Sequence, residues 1–146
     1  MTWDQYFLNL AKTAASKSKD PSTKVGAVIV AKNNTVVSMG YNGLAKQMLD
    51  SPERYEIREL KYRFVIHAEM NAMIHARRTL NGCTLYTYPL PCCEACSIHL
   101  IQSGVVRFVS PAGDIPERWM KSIMNAYANI KEAKADWDRV SMEESK

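Results

Sequence analysis

Apolar positions recur at two spacings along the chain, and the alternation between them lays out the elements. Tyr6, Phe7, Leu10 and Ala14 fall at helical spacing, so the segment from Trp3 to about Ser18 reads as an amphipathic helix. Asp20-Pro21-Ser22 breaks it. Val25–Val30 and Thr35–Met39 are short β-branched runs, and Asn33-Asn34 between them predicts a hairpin turn joining antiparallel strands. Gly40-Tyr41-Asn42-Gly43 reads as a tight loop, and the highly charged stretch 52–64 as a short helix or an ordered loop.

Further on, helical spacing returns from Ala68 to about Arg78, with Met70, Met73 and Ile74 available for burial. Thr84–Tyr88 reads as a strand ended by Pro89, and Glu94–Ser103 as a helix stopped by Gly104. A strand over Val105–Val109 and a helix from Pro116 to about Lys134 follow, and Trp137–Met142 is either a fifth strand or a tail. Strands alternating with helices predict a single α/β domain over 1–146, a sandwich around a mixed sheet. The opening hairpin is expected to be antiparallel, and the later strand–helix–strand units parallel.

Composition narrows the class. A chain of 146 residues, 47% hydrophobic and 23% charged, carries enough apolar surface for a core and is too apolar for disorder. No apolar run approaches the roughly 20 residues that span a bilayer, and Met1-Thr2-Trp3-Asp4-Gln5 lacks the layout of a signal peptide, so a cytoplasmic location is expected (the host cytosol for a viral source). The net charge of +4 suits nucleic acid or a small phosphorylated substrate. Pairs such as Glu53-Arg54 mix the signs, and Glu132, Asp136, Asp138, Glu143 and Glu144 offset the C-terminal lysines, which argues against a nucleic-acid channel.

The chemistry concentrates in two short motifs. His67-Ala68-Glu69 offers an imidazole and a carboxylate; Pro91-Cys92-Cys93-Glu94-Ala95-Cys96 offers three thiols beside a turn. Thiols clustered in this way in a cytosolic chain point to metal. One histidine and two cysteines leave the fourth position of tetrahedral zinc open, as catalytic zinc sites do. Residues i and i+2 diverge on a helix, so His67 and Glu69 share a target only off a helix N-terminus. Cys93 and Cys96, at i and i+3, share a face at the start of the next helix, where the dipole favours thiolate. Two thiolates neutralise Zn²⁺ and weaken it as a Lewis acid, so a carboxylate such as Glu69 is needed to take the water's proton. A structural zinc site closed by Cys92, His75 or His99 is the rival arrangement. Cys83 reads as a small buried apolar residue.

These stretches resemble the deoxycytidylate (dCMP) deaminases of the cytidine deaminase superfamily. Asp20–Val30 (DPSTKVGAVIV) resembles the family's first strand with its preceding loop, and Gly40-Tyr41-Asn42-Gly43 its substrate loop. Arg63–Ala72 (RFVIHAEMNA) resembles the start of its metal-binding helix, and Leu100–Val105 the stretch after its second motif. The resemblance implies a three-layer α/β/α sandwich around a mixed five-stranded sheet, one catalytic Zn²⁺ and conversion of dCMP to dUMP with loss of ammonia. It implies His67 as a zinc ligand and Glu69 as the proton shuttle to N3 and the leaving amine. Asn42 would contact sugar or base, and the Ala68 N–H the base carbonyl. It also implies a homo-oligomer, commonly a hexamer, with dCTP and dTTP as effectors carrying Mg²⁺.

The chain departs from the family at two places. The usual motif is Pro-Cys-x-x-Cys, and here Cys92 occupies the proline's place. Pairing Cys93 with Cys96 restores two intervening residues and keeps Gly104 at its distance, so these two are the expected ligands. After Gly43 the chain reads Leu44-Ala45-Lys46-Gln47, without the Pro and Gly tied to nucleotide regulation. For the phosphate, Lys24 is the first candidate, and Tyr88 is a candidate wall of the base pocket. Deaminases of free nucleosides, tRNA or single-stranded DNA are the nearest alternatives, and a non-catalytic zinc module that mediates assembly is the alternative of another class.

Overall fold

In the computed structural model, which describes residues 1–143, a five-stranded sheet separates two helical layers. The first helix, α1 (Trp3–Ala15), starts at a capping box in which Thr2 and Gln5 exchange side-chain and backbone hydrogen bonds. It leads to β1 (Gly26–Val30) and β2 (Val36–Tyr41), paired antiparallel. Asn34 turns the hairpin at positive φ, as expected of the Asn33-Asn34 pair.

β1 is buried along its whole length because helices cover both its faces. Val28 and Val30 pack with Phe7, Leu8 and Ala11 of α1. Ala27 and Ile29 point the other way, into a cluster containing Ala68, Ala72, Cys96, Leu100 and Ile130. The layers are therefore α1 on one side and, on the other, α4 (Ala68–Ala76), α5 (Glu94–Gln102) and α6 (Glu117–Glu132).

The strand order is β2-β1-β5-β6-β7, with β5 (Thr84–Tyr88), β6 (Arg107–Pro111) and β7 (Asp136–Val140). β5 runs antiparallel to β1, and the β5–β6 and β6–β7 pairs are parallel, giving the expected mixed sheet. The last segment is thus a fifth strand.

Two local readings are corrected and a third is resolved. Gly40 and Tyr41 belong to β2, paired with Ala27 and Gly26, because α4 crosses so close that a Cβ on Gly40 would lie 2.5 Å from the Ala68 carbonyl oxygen. The strand expected at Val105 begins at Arg107, since the Val105 and Val106 N–H groups bond to Leu100 and Cys83 carbonyls before the ladder starts. Residues 52–64 form two short helices, α2 (Glu53–Glu56) and α3 (Arg58–Phe64). A small ladder between β3 (Gly43–Leu44) and β4 (Val65–Ile66), which hydropathy does not signal, then delivers the chain to His67.

Candidate metal centre

Two helix N-termini meet at one point. His67 is the N-cap of α4 and Cys93 the N-cap of α5, both with extended backbone, so neither side chain is committed to its own helix face. The Cys93 sulfur accepts the Cys96 N–H at 3.4 Å. The Nδ1 of His67 lies 3.4 Å from the Cys93 sulfur and 3.3 Å from that of Cys96. With the Glu69 carboxylate, the donor atoms of His67, Cys93 and Cys96 fall within 4.8 Å of one another.

These separations fit zinc. Tetrahedral bonds of about 2.3 Å to sulfur and 2.0 Å to nitrogen put N and S about 3.5 Å apart. Cys92 adjoins this group without being one of its converging donors: its side chain is buried in the core cluster with Leu85 and Phe108, and its thiol points to the Cys93 carbonyl oxygen at 3.5 Å. A hydrogen bond from Cys96 favours its thiolate, but burial and the neighbouring Glu69 and Cys93 charges outweigh that and push the thiol up to about 12. Cys93 goes the opposite way, its pKa lowered because Cys96 and His67 both bond to its sulfur. Its bond to Cys93 raises the pKa of His67 against the effect of burial. Burial, followed by the Cys93 charge, raises that of the Glu69 carboxyl.

A cavity of about 170 Å³ opens beside this cluster. His67, Ala68, Glu69 and Cys93 line it, together with Asn42, Asp20 and Lys61. Trp119, Ser122 and Ile123 of α6 line it as well. The Ser122 hydroxyl accepts the Glu94 N–H at 3.1 Å, tying α6 to the start of the cysteine-bearing helix.

The other residues singled out in the sequence are placed as follows. Asn42 is buried at the cavity, but its amide NH₂ donates to Asp20 Oδ2 and the Thr23 carbonyl and its oxygen accepts the Val25 N–H. It therefore shapes the loop before β1. Lys24 and Tyr88 do not line the cavity. The ammonium of Lys24 is drawn back to the Ser18 carbonyl at 2.7 Å. Tyr88 shares the face of β5 used by Tyr86 and packs in the cluster on the α1 side, as strand alternation dictates, while the metal centre lies on the other side. Lys61 and Trp119 escape sequence reasoning, since each reaches the cavity by a long-range contact; Asp20 lies in the quoted DPST stretch, the one available signal.

Comparison with known proteins agrees with this geometry. The sequence model of the cytidine and deoxycytidylate deaminase zinc-binding region matches residues 1–111. The chain belongs to this family. It is 41% identical over 123 residues to a protein of Aliivibrio fischeri named as an uncharacterized deaminase in the luxG 3′ region, covering 83% of this chain and 82% of that one. It is 38% identical over 122 residues to the deoxycytidylate deaminase of Mycobacterium phage D29, covering 75% of this chain and 94% of that one. The chain spans 62% of the length of the mammalian deoxycytidylate deaminases that it matches. Its fold is that of the dCMP deaminase from cyanophage S-TIM5, solved with dCMP and dUMP: TM-score 0.71 at 21% identity, over 93% of this chain and 95% of that one. The family match stops short of α6, so Trp119, Ser122 and Ile123 come from outside the matched region. No helix among the described residues is long and apolar enough to cross a membrane.

Proposed function

We propose that this chain hydrolyses dCMP to dUMP and ammonia, with one catalytic zinc held by His67, Cys93 and Cys96 and with Glu69 as proton shuttle. The observation that carries the reading is the convergence of one imidazole, two thiols and a buried carboxylate within 4.8 Å of one another, beside a single cavity. The deoxycytidylate deaminase of phage D29, matched over most of its length, supports the choice of substrate.

Zinc bound there would supply the acidity that makes water a nucleophile near neutral pH. The chain's own groups do the rest. Glu69, shielded from solvent, takes the water's proton and passes it to N3 of the cytosine ring as the C4–O bond forms. The carboxylate then takes the remaining proton of the C4 hydroxyl and gives it to the amino group, the C4=O bond forms as the C4–N bond breaks, and ammonia leaves. One residue thus acts as base and then as acid. The N–H of Ala68, in the first turn of α4, is free of an intrahelical partner and would donate to the base carbonyl. Walls from Trp119 and Ile123 favour a single nucleotide over a polynucleotide strand.

Exposed Trp3, Tyr6, Ile98 and Met124 support a homo-oligomer, for which a hexamer is the family-derived reading. Regulation by dCTP or dTTP with Mg²⁺ belongs to the same proposal. The test offers dCMP, deoxycytidine, CMP, dCTP and single-stranded DNA to the zinc-loaded protein and measures ammonia. Turnover mainly of dCMP is expected; turnover mainly of another of these would replace dCMP as the substrate.

A further inference from the structure

Lys61 is the one lysine or arginine among the described residues that line the cavity. Its ammonium is fixed from below by two bonds, to Asp20 Oδ2 at 2.8 Å and to Ser22 Oγ at 2.9 Å. An ammonium has three N–H donors, so one is left for the cavity. Asp20 has no solvent exposure, and its two oxygens are saturated by other partners as well. Oδ1 accepts from the Ser22 N–H, the Ser22 hydroxyl and the Thr23 N–H, and Oδ2 accepts from Asn42. Burial opposes ionisation of Asp20, but the bonds from Lys61, Ser22 and Thr23 outweigh it and hold its pKa below the usual range.

The carboxylate, which also lines the cavity, is thereby spread over five donors that offset its negative charge. The ammonium is presented in one orientation without an entropy cost at binding. Thr23 also lines the cavity, and its hydroxyl makes no hydrogen bond among the described residues. A cation with a spare donor beside a free hydroxyl, in the cavity that His67 and Glu69 also line, is an anion-binding arrangement.

We propose that Lys61, buttressed by Asp20 and joined by Thr23, binds the 5′-phosphate of the substrate and sets the preference for a nucleoside monophosphate over the nucleoside. This rests on the reading of the cavity as a nucleotide site. It moves the phosphate contact from Lys24, whose ammonium is turned to Ser18, to a residue 37 positions on that shares a bonded network with the loop before β1.

The test is calorimetric titration of the zinc-loaded protein with dUMP and with deoxyuridine, which does not depend on turnover. The wild type should bind dUMP more tightly. Lys61→Met should weaken dUMP binding about a hundredfold, the worth of charge-assisted hydrogen bonds, and leave deoxyuridine binding unchanged. If losing its cation leaves Asp20 unpaired and the variant does not fold, Asp20→Asn/Lys61→Met removes the stranded charge and should give the same selective loss. Equal weakening of both ligands, no weakening of either, or the selective loss arising in Lys24→Met instead would overturn the assignment. So would a wild type that does not prefer dUMP. Wild-type protein that binds dUMP through Lys61 yet releases no ammonia from dCMP would overturn the proposed activity and leave this assignment standing.

Discussion

The Nδ1 of His67 lies 3.3 Å from the Sγ of Cys96 across 29 positions of chain, with the Cys93 sulfur at 3.4 Å from the same nitrogen. Cys92, next in sequence, is turned into the core. Cys93→Ser and Cys96→Ser should therefore lose zinc, while Cys92→Ser should retain about one zinc per chain. Metal analysis of the three purified variants checks this; loss confined to Cys92→Ser would assign the ligands differently.

A second prediction concerns acid stability. Asp4 receives both Arg107 guanidinium nitrogens at 2.8 Å and the Tyr86 hydroxyl at 2.6 Å, pinning α1 to the sheet. The Arg107 bond lowers the Asp4 pKa below 3.8, with burial opposing it. The folded state thus holds its proton less tightly than the unfolded one. The stabilisation is complete above the unfolded value and disappears as pH falls through the lower folded value. Asp4→Asn should lower the unfolding midpoint at neutral pH by an amount equivalent to about 2 kcal/mol. The difference from wild type should shrink as the pH falls below 3.8. Thermal unfolding across this range measures both; a pH-independent gap would refute the assignment.

Packing at Gly40 gives a third. An added Cβ there would meet the backbone of α4 at 2.5 Å from Ala68 O and 2.6 Å from Ala72 N. Backbone atoms cannot turn aside as a side chain can, so Gly40→Ala must push α4 away from β2. The expected cost is about 2 kcal/mol or more. Because α4 begins with the His67–Glu69 turn, deaminase activity should fall further than the population of folded protein does. Unfolding and activity assays on the same preparation compare the two losses.

The sequence exposes the helices and strands that have a face to bury. α1, β1, α5 and α6 are legible because one periodicity holds through each of them. The β3–β4 ladder is two residues per strand, too short to show a period, and it is set by the turn into His67. Gly40 looked like a turn residue; it is a strand residue that lets a helix approach. At the site, His67, Glu69, Cys93 and Cys96 are recognisable because zinc chemistry demands fixed residue types at short spacing. The walls are not. Lys61 and Ser22 lie 39 positions apart, and Trp119 reaches the cavity only because α6 packs on α5. Lys24 and Tyr88 lie near the motifs in sequence without lining the cavity: the Lys24 ammonium is turned to the Ser18 carbonyl, and Tyr88 faces the α1 side of the sheet.

The central claim is that Glu69 moves protons while the three other residues hold zinc. Glu69→Gln keeps the size of the side chain and removes its ability to accept a proton. Zinc content and ammonia release from dCMP should be measured on the same samples of this variant and wild type. The account predicts equal zinc in both and a fall in turnover of about a thousandfold or more. Substantial turnover in the zinc-loaded variant would contradict it.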